Sequence, residues 1–304
     1  MRLLRVGQGW IRGIWFSAGG ESIVVADGTE RHTKRLHWHD LHLARPIRLW
    51  EVPVGEFVLA PNLSAVAQLE MEFRPSEWEG ALQVRNVEHP EDGSMRVQLR
   101  ATLSCLAFSP DSQVLFVGCY RIDEAYEPEC EIRRFDRTTE SLLPALPVRR
   151  PVRTLTMTRR GDRLITGGDD NRVRIWQYPE HQQLAEWPHK NSIHQVVLSP
   201  DERILASVAG RSAALWDMTE NRQIVRLTTH GAPVNDLAFS VDGRTLATAC
   251  LDGTVRLWDA FTGRQRQAFD WNIGRTGAVA FSRDGLTIAA GGEQGRVVIW
   301  DADA

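Results

Sequence analysis

Residues 230–259 read HGAPVNDLAFSVDGRTLATACLDGTVRLWD. An apolar strand, VNDLAF, runs into the turn SVDG; a second strand, TLATA, follows, and the corner LDG leads into a third, TVRLWD. Ser, Asp and Gly each initiate or complete tight turns for known backbone reasons, so three short strands with two tight connections are the natural reading.

The same plan recurs along the chain. Seven heptapeptides align on their third residue: IWFSAGG (14–20), FVLAPNL (57–63), LAFSPDS (106–112), LTMTRRG (155–161), VVLSPDE (196–202), LAFSVDG (237–243) and VAFSRDG (279–285). The landmarks Phe16, Leu59, Phe108, Met157, Leu198, Phe239 and Phe281 stand 43, 49, 49, 41, 41 and 42 residues apart. After each comes a second apolar strand: SIVVA, SAVAQL, VLFVG, RLITG, RILAS, TLATA and LTIAA. The last four units then carry VRIWQ, AALWD, VRLWD and VVIWD, and most units add a more polar fourth strand such as QIVRLTT.

Four short strands per ~40–45 residues, with Trp-Asp closing the third, is propeller-blade spacing. The chain resembles the WD-repeat (WD40) family over nearly its whole length. The expected fold is all-β: one seven-bladed propeller of four-stranded antiparallel blades spanning residues 1–304. The seventh unit stops four residues after Trp300 and lacks a fourth strand of its own. The N-terminal Met1 to Val6 is therefore expected to pair into that last blade and close the ring.

The resemblance implies that His230, Thr248, Asp252 and Trp258 form a buried hydrogen-bonded tetrad, a structural network in which imidazole, hydroxyl, carboxylate and indole N–H satisfy one another. Other units keep parts of it. The fourth has Thr166, Asp170 and Trp176 with Val148 at the His position; the fifth has His189, Ser207 and Trp216; the last has Trp300 with Asn272, Ala290 and Gln294. In units one to three, His39, Arg85 and Phe135 stand at the Trp position.

Composition excludes other classes. The 304 residues are 42% hydrophobic and 25% charged, with 36 Lys plus Arg against 39 Asp plus Glu. That balance gives no global field for nucleic acid or anionic membrane. The sequence has neither an apolar run long enough to span a bilayer nor a secretory signal, so a cytoplasmic protein is expected. Four cysteines, Cys105, Cys119, Cys130 and Cys250, form no CxxC pair; Cys119 and Cys130 flank one loop, the single place where a bridge is imaginable.

No nucleophile elbow, Walker loop, dinucleotide fingerprint or HExxH occurs. The segment HWHDLH (37–42) alternates His37 and His39 on one strand face, and His39 reads as a packed blade residue rather than a ligand. The inner-strand starts Arg12, Gly55, Ser104, Arg153, His194, Asn235 and Gly277 are poor in carboxylates, so neither a metal nor a cofactor is expected.

In WD-repeat proteins partners meet the so-called top face. By alignment its residues here are Trp10, Arg12, Arg153, His194, Asn235 and Arg275 at the first strands, and Asp169 and Leu251 before the corner. Landmark-to-third-strand distances are 19, 18, 19 and 19 in units four to seven but 23, 26 and 27 in units one to three. The extra length carries Phe73, Trp78, Tyr120 and Tyr126, aromatic candidates for interface anchors or for covers over degenerate blades.

The expected function is a non-catalytic scaffold, a monomer or one component of a larger complex, holding a protein or peptide on that face. Arg12, Arg153 and Arg275, with His194 beside them, would suit an acidic or phosphorylated segment. The alternatives are a propeller hydrolase with a tunnel metal and a nucleic-acid binder using the same arginines.

Overall fold

A computed structural model describes residues 1–17, 21–28, 33–41, 45–53, 57–60, 65–73, 78–86, 94–122 and 128–302. After β1 (Arg2–Arg5), the strands come in groups of four. The first sheet holds β2 (Trp10–Phe16), β3 (Ser22–Gly28), β4 (Thr33–Asp40) and β5 (Arg45–Pro53). The second holds β6 (Phe57–Leu59), β7 (Ala65–Phe73), β8 (Trp78–Asn86) and β9 (Ser94–Leu99). The third holds β10 (Thr102–Phe108), β11 (Val114–Ile122), β12 (Pro128–Asp136) and β13 (Ser141–Val148).

The fourth sheet holds β14 (Val152–Met157), β15 (Arg163–Gly168), β16 (Arg172–Gln177) and β17 (Gln182–Pro188). The fifth is β18 (Gln195–Leu198), β19 (Ile204–Ala209), β20 (Ser212–Asp217) and β21 (Arg222–Leu227). The sixth is β22 (Val234–Phe239), β23 (Thr245–Cys250), β24 (Thr254–Asp259) and β25 (Gln265–Asp270). The seventh joins β26 (Ala278–Phe281), β27 (Thr287–Gly291) and β28 (Arg296–Asp301) to β1. Seven four-stranded antiparallel sheets match a seven-bladed propeller.

All seven landmark residues, from Phe16 to Phe281, are the last residue of their first strand. The N-terminal strand pairs as the sequence requires, with Arg2 opposite Ile299, Leu3 opposite Val298, Leu4 opposite Val297 and Arg5 opposite Arg296. The chain divides into two compact units, residues 1–53 with 197–304 and residues 54–196, each described by itself below.

Second strands read as continuous apolar runs because both their faces are covered. In the unit of residues 54–196, Leu115 and Val117 of β11 pack with Ala65, Leu82 and Leu99 of the second sheet. Phe116, between them, points the other way and packs with Val152, Leu155 and Leu164 of the fourth. In the other unit, Leu246 packs with Ile204, Val208 and Leu215, while Ala247 and Ala249 pack with Val279, Ile288 and Val298.

The turns after four of the landmarks share one hydrogen-bond pattern. Ser109, Ser199, Ser240 and Ser282 donate to Asp111, Asp201, Asp242 and Asp284 at 2.5, 2.6, 2.6 and 2.5 Å. The same serine oxygens accept the N–H of Val114, Ile204, Thr245 and Thr287, fixing where the second strand starts. In the fourth sheet Thr158 and Asp162 do the same, at 2.6 Å.

Part of the extra length in units two and three lies in the strands themselves. It lengthens the hairpins: β7 and β8, like β11 and β12, run nine residues each, against six for β15 and β16. The register also rules out the imagined Cys119–Cys130 bridge. Cys119 pairs with Glu131 and Cys130 with Tyr120, so the two thiols point to opposite faces of the sheet; both are buried and neither is in a disulfide. Burial pushes the Cys119 thiol up to about 12.

Candidate functional site: the first-strand edges

In the unit of residues 54–196, Arg153 near the start of β14 reaches across to Asp169, just past the end of β15. Its Nε donates to Oδ1 at 2.9 Å and its Nη2 to Oδ2 at 2.7 Å, a two-pronged ion pair. Ser192 donates to the same carboxylate at 2.8 Å, and Arg153 lies 5.7 Å from the Tyr120 ring centroid. The Arg153 hydrogen bonds hold Asp169 below the usual carboxylate range and raise the Arg153 guanidinium in turn. About a third of each side chain stays exposed, 39% and 32%. His194 is exposed.

In the unit of residues 1–53 and 197–304, Trp10 donates its indole N–H to the Arg275 carbonyl at 3.1 Å, and the Arg12 guanidinium carbon lies 3.7 Å from the Trp10 ring centroid. Gly277 makes this possible: a Cβ there would stand 2.5 Å from Trp10 Nε1 and 2.1 Å from the Ile11 carbonyl oxygen. Arg275 meets Glu293 at 3.8 Å, and Asn235 donates to the Gly277 carbonyl at 2.5 Å. Leu251 is half-buried.

The three arginines are thus not a bare cationic set. Arg153 spends its fork on Asp169, Arg12 lies against an indole, and Arg275 sits beside a glutamate. Phe73 and Trp78 are cross-strand partners closing the β7–β8 hairpin. Their side chains, Tyr126 and His42 lie outside the described residues.

The tetrad of the sixth sheet is built in part as the resemblance implies. Trp258 Nε1 donates to Thr248 Oγ1 at 3.1 Å, and His230 Nε2 lies 3.0 Å from the same oxygen. Asp252 differs: it binds not the imidazole but the Gly231 N–H at 3.3 Å, Thr254 and Arg256 Nη2 at 2.9 Å. A guanidinium offers a charge-assisted bond that a neutral imidazole does not. Burial, with the Arg256 charge, pushes His230 down to about 4, while Arg256 and Thr254 outweigh desolvation and hold Asp252 well below its ordinary value.

Elsewhere the degenerate positions are filled in other ways. The registers put His39, Arg85 and Phe135 opposite Ile23, Val66 and Leu115, the place Trp258 takes opposite Leu246. His37 bonds the buried Asp27 at 2.9 Å, and that carboxylate, despite burial, stays below its ordinary value. Phe269 of the sixth sheet stacks on Trp271, and both rings lie tilted against Trp300 of the seventh, the indole centroids 4.2 Å apart. Nothing in the repeat pattern marks Trp271. Among the described residues no group of three or more His, Cys, Asp or Glu is arranged to hold a metal, and no helix is long and apolar enough to cross a membrane.

Comparison with known proteins fits this architecture. The family model "WD domain, G-beta repeat" matches residues 147–177, 221–259 and 275–301. Coronin-7 of Bos taurus is 32% identical over 102 residues, covering 31% of this chain and 11% of that protein. The target of rapamycin complex subunit wat1 of Schizosaccharomyces pombe is 30% identical over 97 residues, 31% of each chain. The small ribosomal subunit protein RACK1 of Caenorhabditis elegans is 27% identical over 116 residues, 35% of this chain and 36% of that one. These alignments span roughly a tenth to a third of the relatives' lengths. WD40 repeats are thus matched in three places, the relatives named are similar over part of their length, and all seven sheets share one strand plan.

Proposed function

We propose that this chain is a non-catalytic, cytosolic interaction scaffold that holds an acidic protein segment at the edge of its sheets where the first strands begin. The observation that carries the reading is the preorganised polar edge. The Arg153–Asp169–Ser192 cluster, with Tyr120 alongside, fixes one guanidinium, and Trp10, held by the Arg275 carbonyl, carries the Arg12 guanidinium over its ring, both before any partner arrives. Preorganisation lowers the ordering cost of binding, and Arg, Trp and Tyr are the residues on which interfaces concentrate their energy. Two relatives support it by name, one a subunit of the target of rapamycin complex and one a small ribosomal subunit protein.

The test is capture of partners from the native cell with the wild-type chain and with Arg153→Glu/Arg275→Glu. The expected result is loss of the captured protein at an unchanged melting temperature. Retention of every partner by the double variant would move the interface elsewhere.

A further inference from the structure

The fourth sheet contains a cavity that the sixth fills with a histidine. Val148 stands where His230 stands relative to Thr248, and beside it opens a space of about 420 Å³ lined entirely by residues 147–186. One wall is the Trp176 indole, which donates to Thr166 at 2.9 Å and is covered by the His181 ring, 4.5 Å away and nearly parallel. The other wall is a closed charge ladder: Arg172 and Arg174 hold Glu186 at 2.6 and 2.9 Å, and Arg174 also binds Asp170. Two guanidiniums against two carboxylates leave that wall neutral.

The mouth is different. Arg149 and Arg150 line it, both are exposed, and no described carboxylate forms an ion pair with either. His181 also lines the space. The site therefore offers an aromatic wall and a cationic rim.

We propose that this cavity is the anchoring socket for an acidic peptide segment, with a carboxylate held between Arg149 and Arg150 and the adjoining apolar side chain seated on Trp176 in the room that a histidine occupies elsewhere. The inference rests on the scaffold reading but names a different anchor from the Arg153 and Arg275 edge. Charge complementarity selects the occupant: the fixed wall is neutral, so the two rim arginines set the sign.

The probe is a fluorescein-labelled pentapeptide of one phenylalanine flanked by two glutamates on each side, followed by anisotropy at low salt. Saturable binding is expected, weakened about tenfold or more by Val148→His, which fills the socket, and by Arg149→Glu/Arg150→Glu. Val148→Ala, which keeps the space, should bind as wild type. Loss on the Arg153/Arg275 pair with no effect of Val148→His would overturn the socket while favouring the edge. The reverse pattern would support the socket as this peptide's anchor, the edge being judged separately by partner capture. Equal binding of the glutamine-for-glutamate peptide, or no saturable binding, would overturn the proposal outright. Thermal melts of each variant confirm that the fold is kept, and Val148→His is expected to melt no lower than wild type.

Discussion

Replacing Ala290 with serine should stabilise the protein, because it supplies an acceptor to a buried indole that has none. Trp176, Trp216 and Trp258 donate to Thr166, Ser207 and Thr248 at 2.9, 2.8 and 3.1 Å. The corresponding residue under Trp300 is Ala290, fully buried, and Trp300 Nε1 is buried without a partner. Register makes the comparison direct: Ala290 pairs with Val298 and Trp300 with Ile288, as Ser207 pairs with Ala214 and Trp216 with Leu205. A buried unsatisfied donor costs ~1–3 kcal/mol, and a net hydrogen bond contributes about 1 kcal/mol. The new hydroxyl must place its own proton; Ser207 sends it toward the Ala214 carbonyl at 3.5 Å, and Val298 offers the same carbonyl here. The net expectation is a gain of about 1 kcal/mol, measured by urea denaturation at constant m. Ala290→Val, which adds bulk without an acceptor, should not gain. A double-mutant cycle decides the cause: in a Trp300→Phe background the serine must lose its benefit. An unchanged midpoint for Ala290→Ser, or a gain that survives Trp300→Phe, would refute the argument.

Three further outcomes follow from the same geometry. His230 is buried with a folded value near 4 against an ordinary 6.5, so the unfolded chain binds its proton first; stability should fall as pH drops from about 6.5 to about 4, by up to about 3 kcal/mol. His230→Gln should flatten that limb in pH-dependent denaturation, while the loss below about 4 from the depressed Asp252 and Asp259 carboxyls should remain. Asp252→Ala strips the carboxylate from Arg256, whose side chain is only 13% exposed, and should cost about 2–3 kcal/mol, with much of it recovered in Asp252→Ala/Arg256→Ala by chemical denaturation. Ser112→Gly should stabilise by about 1 kcal/mol in the same assay, since Ser112 holds a left-handed φ of 61° and buries a hydroxyl with no partner, where Gly161, Gly243 and Gly285 serve the equivalent turns.

Strand order was legible because each repeat carries its own boundary. The landmark residues end the first strands in all seven sheets, and after four of them a Ser and an Asp form local hydrogen bonds that need no distant partner. The assignments of His39, Arg85 and Phe135 to the Trp position rest on spacing and strand pattern, and the pairings with Ile23, Val66 and Leu115 agree with them. What spacing could not give is competition among side chains. The Asp252 link to Arg256 rather than His230, the Arg153 fork closed on Asp169 and the tilted contact of Trp271 with Trp300 are three-dimensional choices between neighbours. The Cys119 and Cys130 thiols were readable in principle, because counting alternation from the hairpin register sends them to opposite faces.

The serine–aspartate turn bears on how this chain tolerates change. Because the hydroxyl of Ser199 or Ser282 pins the N–H of Ile204 or Thr287, the alignment of each hairpin is an attribute of a few adjacent residues rather than of the finished assembly. Such information is available before any long-range contact forms, and local contacts cost little loop entropy. A unit can therefore lose its histidine, its hydroxyl or its tryptophan and still present a correctly registered sheet to its neighbours. The last sheet, with Ala290 and Asn272 in those places, retains the Ser282–Asp284 turn and the full pairing of β27 with β28. Decay of the interior network and preservation of the hairpin ends are thus separable, which frees the eroded positions, such as Val148, to acquire other uses.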